Sequence, residues 1–491
     1  MLYDVAILGS GLGSLTAACL LAKQGKNVLV LEQNYLPGGC TSSYWRKGFV
    51  FEAGATTLVG LDDKMPLRYL LDEIGIDLQA IPLELPMQVY LPNGEIIHKY
   101  QNIEQWIAEA ERKFGAKNQR QFWEFCYTIS QFVWQTSLKQ TAFPPTTLTD
   151  FWHTLKNVSF SQFRYGAYSL MSMRKLLEKF DLLDNQLFIA YLDEQLLITA
   201  QNSIAEVNVL FGATALCYTN FGNYYVNGGL INLVNPLIEY ITKQGSKVLL
   251  RNAVNKIDFA NEIFTLHCTE KLQTPITYQA KYLISGIPVN NLLEIYRDKR
   301  MKQLKKLPTI LPSEKLNSAF QMGIGFSTEK EFESLHHQII LPSQMPQTNS
   351  KSIFMSVSHA NDASRSDKAD LRVASISTHI HNPAAQNNFD KRIAEDFVFE
   401  TLEKHQLLYR KNVVYYHSSE AMAWEKWTKR KFGFVGGYPQ YFAIKPWQMN
   451  DARVDGHKAY ICGDTTYPGQ GIPGVVLSGI IAVQKLNIDW L

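Results

Sequence analysis

The stretch 3–32, YDVAILGSGLGSLTAACLLAKQGKNVLVLE, decides the fold of this 491-residue chain. Its first six residues, 3–8, predict a short buried strand, and the apolar residues that follow repeat at helical spacing until Gly25 ends the helix. Residues 27–31 predict a second buried strand, which ends at Glu32. This β-α-β unit predicts an α/β fold that opens with a Rossmann-like domain.

The turn between the first strand and the helix has the composition of a phosphate-binding loop. Gly9 permits the tight turn, and Gly11 lets the backbone approach a pyrophosphate at the helix N-terminus, where free N–H groups and the helix dipole favour an anion. Ser14 stands where a third glycine is usual, and it is still small enough for close helix–strand packing. Glu32 would accept hydrogen bonds from a ribose hydroxyl. The residues predicted to bind a dinucleotide here are Gly9, Gly11, Leu12, Gly13, Ser14, Glu32 and Gln33.

The next two segments distinguish FAD from NAD by resemblance. Pro37-Gly38-Gly39 follows the acid, and GFVFEAGA follows at 48–55. Here the sequence resembles the FAD-containing amine oxidase and phytoene desaturase superfamily, which implies FAD as the cofactor and a Rossmann-like domain of the GR2 type. Cys40 and Asn34 stand where that family usually has arginines. The resemblance adds these cofactor-binding residues: Gly38, Gly39, Cys40, Thr41, Gly54, Ala55 and Thr56.

The C-terminus carries the second half of the predicted site. Residues 458–462, KAYIC, predict a strand that runs into Gly463 and Asp464, and a glycine-rich turn leads to a helix at 475–486. An Asp at a strand end can bond the ribityl hydroxyls of a flavin, and the turn offers N–H groups to the pyrophosphate or to the flavin edge. The cofactor-binding residues predicted here are Gly463, Asp464, Gly471, Ile472 and Pro473.

Two interior segments complete the resemblance, and they predict a discontinuous domain organisation. The block 224–257 implies that Val254 contacts the adenine through its backbone, and AKYLISGIP at 280–288 resembles the strand that closes the FAD domain, with Ser285 at its end. We expect an FAD-binding domain formed by residues 1–65, 222–300 and 430–491. Residues 66–221 and 301–429 would form a substrate domain with a mixed sheet and helices.

The segment WEKWTKRKFGFVGGYPQ at 424–440, together with GDTTYPGQGIPG at 463–474, resembles the carotenoid branch of the superfamily. This branch comprises phytoene desaturases, carotenoid 3′,4′-desaturases, carotenoid cis–trans isomerases and retinol saturases. The resemblance implies an FAD-dependent oxidoreductase acting on a long apolar polyene, with desaturation as the first expectation and isomerisation or saturation as alternatives. Two alternatives belong to other classes of protein. One is a flavin amine oxidase, with Tyr467 and Trp447 as candidates for an aromatic cage. The other is a non-catalytic FAD-fold chaperone.

No residue is assigned as a catalytic acid or base from the sequence. His379 and His381 would lie on one strand face, but a third ligand is not evident, so no metal site is predicted. The six cysteines form no C-x-x-C pair, which favours reduced thiols and a cytoplasmic location. A net charge of +3 without a basic run gives no indication of nucleic acid as a partner.

The segment 119–183 is dense in aromatic residues with interleaved Lys and Arg, and Pro144-Pro145 divides it into two helical parts. Two interpretations remain open. The aromatic residues could form a peripheral membrane surface through which an apolar substrate enters. They could equally form the core of a helical cap, because polar residues occur on every face. No uncharged apolar run of 18 residues occurs, so a membrane-spanning helix is not expected.

Overall fold

The computed structural model describes residues 1–157, 164–271, 273–297, 311–368, 370–386, 388–455 and 458–490. The α-helices in this part of the chain are α1 (Leu12–Lys23), α2 (Pro66–Ile74), α3 (Ile103–Phe114), α4 (Gln119–Ser137), α5 (Leu148–Lys156), α6 (Met173–Lys179), α7 (Gln186–Ala200), α8 (Val209–Leu216), α9 (Ile231–Lys243), α10 (Val289–Ile295), α11 (Lys391–Lys404), α12 (Ala421–Thr428) and α13 (Ile472–Trp490).

The strands fall into two large sheets and two small ones. They are β1 (Leu2–Leu8), β2 (Val28–Leu31), β3 (Ser43–Arg46), β4 (Phe49–Glu52), β5 (Leu58–Val59), β6 (Ile81–Pro82), β7 (Met87–Tyr90), β8 (Ile96–Lys99), β9 (Asn223–Tyr225), β10 (Lys247–Leu249), β11 (Asn252–Ala260), β12 (Ile263–Glu270), β13 (Thr274–Ser285), β14 (Asn317–Ser327), β15 (His336–Ile340), β16 (Ser352–Val357), β17 (Leu371–His381), β18 (Val413–Ser419) and β19 (Ala459–Ile461).

The first large sheet contains the predicted β-α-β unit. Strands β10, β2, β1, β13 and β19 are parallel neighbours in that order, and β12 and β11 continue the sheet antiparallel from the first half of β13. Strands β1 and β2 are almost fully apolar and buried, as strands covered on both faces must be. The predicted α/β class with a Rossmann-like domain is confirmed.

Helices α1 and α13 form the layer behind this sheet. Helix α1 is buried from Leu12 to Ala22, which agrees with its nearly uninterrupted apolar sequence. It crosses α13 closely, because a Cβ on Gly13 would come within 3.0 Å of the Val475 carbonyl and a Cβ on Gly479 would collide with the Gly13 carbonyl. The two ends of the chain are therefore packed directly on one another.

The second large sheet has the order β18-β14-β17-β16-β15-β7-β8 and is antiparallel apart from the β15–β7 pair. Its long strands β14 and β17 pair with each other along their whole length. All strands of the first sheet lie within 1–65, 222–300 and 430–491, and those of the second lie within 66–221 and 301–429. The strand distribution supports the predicted division into two domains, whose boundaries stay a prediction.

The aromatic segment 119–183 contains α4, α5 and α6, and its residues 158–163 lie outside the described part of the chain. Phe122 and Trp123 of α4 are fully buried in a core with α3 and α7. In contrast, Phe151 and Trp152 of α5 are 51% and 58% exposed. The helical-cap interpretation therefore holds for α4 and does not hold for α5.

Helix α13 alone, among the described residues, is long and apolar enough to span a membrane. However, 72% of its apolar window is buried inside the protein, where it packs on α1 and α2. It also begins at Ile472, three residues before the predicted helix. Its burial identifies it as a core helix.

Candidate cofactor-binding site

The predicted cofactor residues meet at one edge of the first sheet. Strands β1, β2, β13 and β19 are parallel, so their carboxyl ends lie side by side. Gly9 follows β1, Glu32 follows β2, Ser285 ends β13, and Gly463 follows β19 within two residues. In open α/β sheets this edge is where ligands bind.

Glu32 is buried at the end of β2, and it organises the loop after β1. Its carboxylate accepts hydrogen bonds from the Ser10 amide at 2.9 Å, from the Ser10 hydroxyl at 2.8 Å and from the Asn34 amide at 2.8 Å. Sequence reasoning located Glu32 but missed Ser10. The carboxylate therefore has a fixed orientation beside the glycine loop.

The glycine doublet lies against the glycine loop. Gly11 forms a bridge with Gly38, whose amide donates to the Ser10 carbonyl at 3.0 Å. Gly38 and Gly39 both have positive φ angles, of 97° and 59°, which residues other than glycine rarely adopt. The loop and the doublet thus form one backbone surface beside the N-terminus of α1.

The small residue at position 14 allows β13 to approach α1. A Cβ on Gly286 would collide with the Ser14 hydroxyl, which itself donates to the Leu8 carbonyl at 3.3 Å. Ser285 is fully buried, and its hydroxyl has no hydrogen-bond partner within the described ranges. The predicted reason for a small residue at position 14 therefore agrees with the packing.

Cys40 and the segment after β4 form the next part of the site wall. The Ala55 amide donates to the Cys40 carbonyl at 2.8 Å, and a Cβ on Gly54 would come within 3.2 Å of the Cys40 side chain. Thr41 is buried and Thr56 is half-buried. The glycine at position 54 is needed because the two segments touch there.

The predicted adenine side of the site is formed by β11 and the residues after β2. The Asn252 amide donates to the Glu32 carbonyl at 2.8 Å, and the backbone amide of Arg251 donates to the Asn34 carbonyl at 3.0 Å. Val254, two residues along β11, is half-buried and pairs with Cys268. Gln33 bonds instead to the Trp427 carbonyl at 3.4 Å, from a segment that the sequence did not connect with this loop.

Asp464 forms an ion pair that was not predicted. Both of its carboxylate oxygens accept from Nη2 of Arg430 at 2.9 Å, and the two side chains are only 17% and 11% exposed. Burial lowers the pKa of Arg430, but the neighbouring Asp464 carboxylate outweighs this effect and raises it above its ordinary value, so the guanidinium stays charged. The predicted ribityl-binding carboxylate is therefore held by a guanidinium.

The C-terminal turn packs against a second pair of glycines, Gly436 and Gly437. A Cβ on Gly436 would collide with the Gln470 side chain, and one on Gly437 would collide with the Asp464 carbonyl. Gly471 borders open space, whereas Ile472 and Pro473 form the buried first turn of α13. The block at 424–440 is therefore part of the same site as the turn.

A group of polar but uncharged side chains lies beside this turn, and sequence reasoning missed it. It comprises Gln201, Asn317, His379, Gln440 and Gln470. Gln201 Nε2 lies 3.1 Å from His379 Nε2, and Gln470 donates to the Ile198 carbonyl at 3.2 Å. Burial lowers the pKa of His379 to about 3, so its imidazole is neutral near pH 7.

The histidine pair considered for a metal and the aromatic pair considered for an amine do not form complete sites. The rings of His379 and His381 stack at 6.5 Å, but within the described ranges no three His, Cys, Asp or Glu residues come together as a metal site would require. Tyr467 is packed against Phe143, while Trp447 is 50% exposed. Tyr467 and Trp447, the candidates for the aromatic cage of the alternative amine oxidase, therefore lie in different surroundings, one packed on Phe143 and the other half exposed.

The residues at this edge fit a dinucleotide. A Cβ on Gly11 or Gly471 would meet no protein atom within 4 Å, so the backbone there borders space that a ligand can fill. Nη1 of Arg430 is buried without a hydrogen-bond partner among the described residues and offers a donor to an anion. The N-terminus of α1 has no side-chain cap, which leaves its N–H groups free for phosphate.

We expect Glu32→Ala to weaken FAD binding by about 1–3 kcal/mol, because a charge-assisted hydrogen bond to the ribose and the order of the Ser10 loop are lost together. The dissociation constant can be measured from flavin fluorescence on release. Glu331→Ala, which changes an exposed glutamate outside this site, should leave the dissociation constant for FAD unchanged. An unaltered constant in Glu32→Ala would remove this residue from cofactor binding.

Comparison with known proteins agrees with this site. The sequence model of the family described as flavin containing amine oxidoreductase matches residues 15–487. Prolycopene isomerase 1 of an Oncidium hybrid cultivar is 25% identical over 99% of this chain and 84% of that protein. All-trans-retinol 13,14-reductase of Danio rerio is 30% identical over 52% of this chain and 42% of that protein.

Solved structures share the fold. Putrescine oxidase superposes with a TM-score of 0.67 at 16% identity, over 99% of both chains. Cyclohexylamine oxidase from Brevibacterium oxydans superposes with a TM-score of 0.63 at 13% identity, over 99% of this chain and 98% of that one. The predicted superfamily and the predicted cofactor are confirmed: the chain belongs to the flavin containing amine oxidoreductase family, and it is an FAD-dependent oxidoreductase.

Proposed function

We propose that this enzyme acts on a long apolar polyene of the carotenoid or retinoid class and that it isomerises its double bonds. The observation that carries the proposal is the extent of the likeness to prolycopene isomerases, which runs over 99% of the chain. The likeness to retinol 13,14-reductase covers 52%, so saturation is the second candidate. Desaturation, the first expectation from the sequence, stays a prediction.

The polar groups beside the C-terminal turn suit such a substrate. Gln201, His379 and Gln470 satisfy one another or the backbone, and none of them carries a charge near neutral pH. An uncharged surface is required next to a polyene, because an unpaired charge facing an apolar ligand would be costly. FAD, when bound, supplies a centre that can accept and return a hydride or electrons. The protein's part is to orient the polyene and exclude water.

The mass of the product distinguishes the three reactions. Purified holoenzyme is incubated with a poly-cis acyclic carotenoid under two conditions, once without oxygen and with its flavin reduced, and once in air with its flavin oxidised. We expect a new retention time and absorption maximum at unchanged mass. A product lighter by two hydrogens per bond would establish desaturation and a heavier one saturation, and either would overturn isomerisation. If no polyene were altered by a fully loaded enzyme, the substrate class would be wrong.

We also propose that α5 contacts a membrane surface. Its exposed apolar residues are Leu148, Phe151, Trp152 and Leu155, with exposures from 43% to 81%. They recur at helical spacings of three and four residues, so they form one apolar stripe. On the opposite face Asp150 is fully buried and pairs with Arg453. A helix that is held on one face and exposes an apolar stripe on the other resembles helices that bind membrane surfaces. Such a contact would let an apolar substrate enter the protein directly from lipid.

We expect the double variant Phe151→Ser/Trp152→Ser to bind vesicles at least about tenfold more weakly, because two large side chains no longer enter the lipid interface. Flotation with vesicles of mixed zwitterionic and anionic lipid measures the binding. Trp45→Ser/Val414→Ser, which changes two other exposed apolar residues, is the matched control. Equal loss in both variants, or no vesicle binding by the wild type, would contradict a specific role of α5.

A further inference from the structure

The loop that follows Glu32 carries no charged side chain from Gln33 to Trp45. Asn34 and Cys40 of this loop are both uncharged. Yet this loop directly adjoins the phosphate-binding backbone, since Gly38 bridges to Gly11 and donates to the Ser10 carbonyl. The backbone amides at the N-terminus of α1 carry only partial positive charge, so a diphosphate bound there would gain from a full cationic charge nearby.

A distant segment, 427–430, covers this loop. The Trp427 carbonyl accepts hydrogen bonds from the side chains of Gln33 at 3.4 Å and Asn34 at 3.3 Å. The Trp427 ring also meets Tyr35 edge-to-face at 5.5 Å. The same segment is fixed from the other side, because Asn291 donates to the Lys429 carbonyl at 2.7 Å.

This docking brings the guanidinium of Arg430 beside Cys40. Burial raises the pKa of the Cys40 thiol, and the Arg430 charge opposes that rise, which places the two groups within electrostatic reach. The guanidinium lies over the Phe434 ring at 4.9 Å, and its Nη2 is held by both oxygens of Asp464. The side chain therefore has a fixed position.

One end of this guanidinium is unused. Nη1 of Arg430 is buried and finds no acceptor in the part of the chain that the structure describes. A buried charged donor without a partner is costly, so its presence indicates an acceptor that arrives with a ligand. The open space beside Gly11 lies along the same backbone surface.

We propose that Arg430 binds the diphosphate of FAD and thereby supplies, from a distant segment of the chain, the positive charge that the loop after Glu32 lacks. Arg430 is the anion-binding group, and Asp464 is the positioning residue that orients it. An arginine suits this role because its planar guanidinium can bond a carboxylate with one nitrogen and a phosphate oxygen with the other. The inference concerns cofactor binding and is independent of the substrate.

The test compares ligands that do and do not carry the diphosphate. Full-length protein freed of FAD is titrated with ADP and with adenosine by calorimetry, in the wild type and in Arg430→Gln. We expect the variant to bind ADP about 10- to 100-fold more weakly and adenosine equally well. Arg410→Gln removes an exposed arginine that pairs with Asp396, so it should change neither constant.

A rescue experiment separates loss of charge from loss of structure. The double variant Cys40→Arg/Arg430→Gln restores a guanidinium beside the glycine doublet. We expect it to recover at least about a third of the binding free energy for ADP that Arg430→Gln loses. Unchanged ADP affinity in Arg430→Gln would overturn the proposal. An equal loss of ADP and adenosine affinity would also overturn it, because it would show a structural role only.

Discussion

A Gly11→Val variant is expected to fold and to purify without FAD. Gly11 precedes α1 with an extended backbone, and a Cβ at this position would meet no protein atom within 4 Å. The substitution therefore adds no internal clash at Cβ and fills space that the pyrophosphate needs. We expect the dissociation constant for FAD to rise by at least about a hundredfold, the effect of excluding phosphate from the helix N-terminus.

The ratio of flavin absorbance to protein absorbance measures the FAD content, and circular dichroism measures the fold. Gly166→Val is the matched control, because Gly166 also has a negative φ and open space at its Cβ but lies away from the first sheet. A full complement of FAD in Gly11→Val would show that the pyrophosphate binds elsewhere. Loss of the fold in both variants would show that valine disturbs the backbone at either position, and that the missing FAD does not result from a blocked pyrophosphate site.

The part of this site that could be predicted from the sequence is the part built by local structure. Gly9, Gly11 and Glu32 belong to one β-α-β unit, whose geometry follows from strand, turn and helix signals within thirty residues. Asp464 could be placed because it directly follows a predicted strand of a parallel sheet. In each case the position in space is set by neighbours in sequence.

The residues that were missed depend on contacts between distant segments. Arg430 reaches the site because Trp427 docks on the loop after Glu32, and no local pattern predicts that contact. Gln201 lies at the end of α7, and it meets His379 of β17 only after the second sheet has formed. Their chemistry is visible in the sequence, but their location is a property of tertiary packing.

The start of α13 shows a different kind of error. The glycine-rich turn suggested a loop up to Gly474, yet the helix already begins at Ile472. Pro473 is compatible with this start, because a proline in the first turn of a helix sacrifices no intrahelical hydrogen bond. The turn and the helix N-terminus therefore overlap, and Gly474 fits inside the helix where a Cβ would press on the Gly469 carbonyl.

The largest stability effect is expected at a buried ion cluster that fixes α5 to the C-terminal helix. Arg453, Asp150 and Lys485 are each fully buried. Arg453 donates to Asp150 at 3.0 Å and to the two oxygens of Asp489 at 2.7 and 2.9 Å. Lys485 donates to the Pro144 carbonyl at 2.6 Å. The cluster thus joins the residues before α5, α5 itself and α13.

Arg453→Met is expected to release α5. Removing the guanidinium leaves buried carboxylates without their main partner, which typically costs about 3–5 kcal/mol. Since the protein has two large sheets, local opening is a better measure than global unfolding. We expect hydrogen exchange at the amides of 148–156 to accelerate by more than about a hundredfold. Arg410→Met, which removes a partner from an exposed ion pair, should change exchange by less than about fivefold.

The effect of Arg453→Met should depend on pH. Burial raises the pKa of Asp150, but Arg453 and Lys485 outweigh it and hold the pKa below the ordinary value of 3.8. A depressed carboxylate pKa stabilises the folded state above that value, and the contribution is lost as the pH falls. The difference in exchange between wild type and Arg453→Met should therefore be full at pH 7 and shrink as the pH falls below 3.8. A difference independent of pH would show that lost packing, and not the unpaired Asp150 carboxylate, causes the opening.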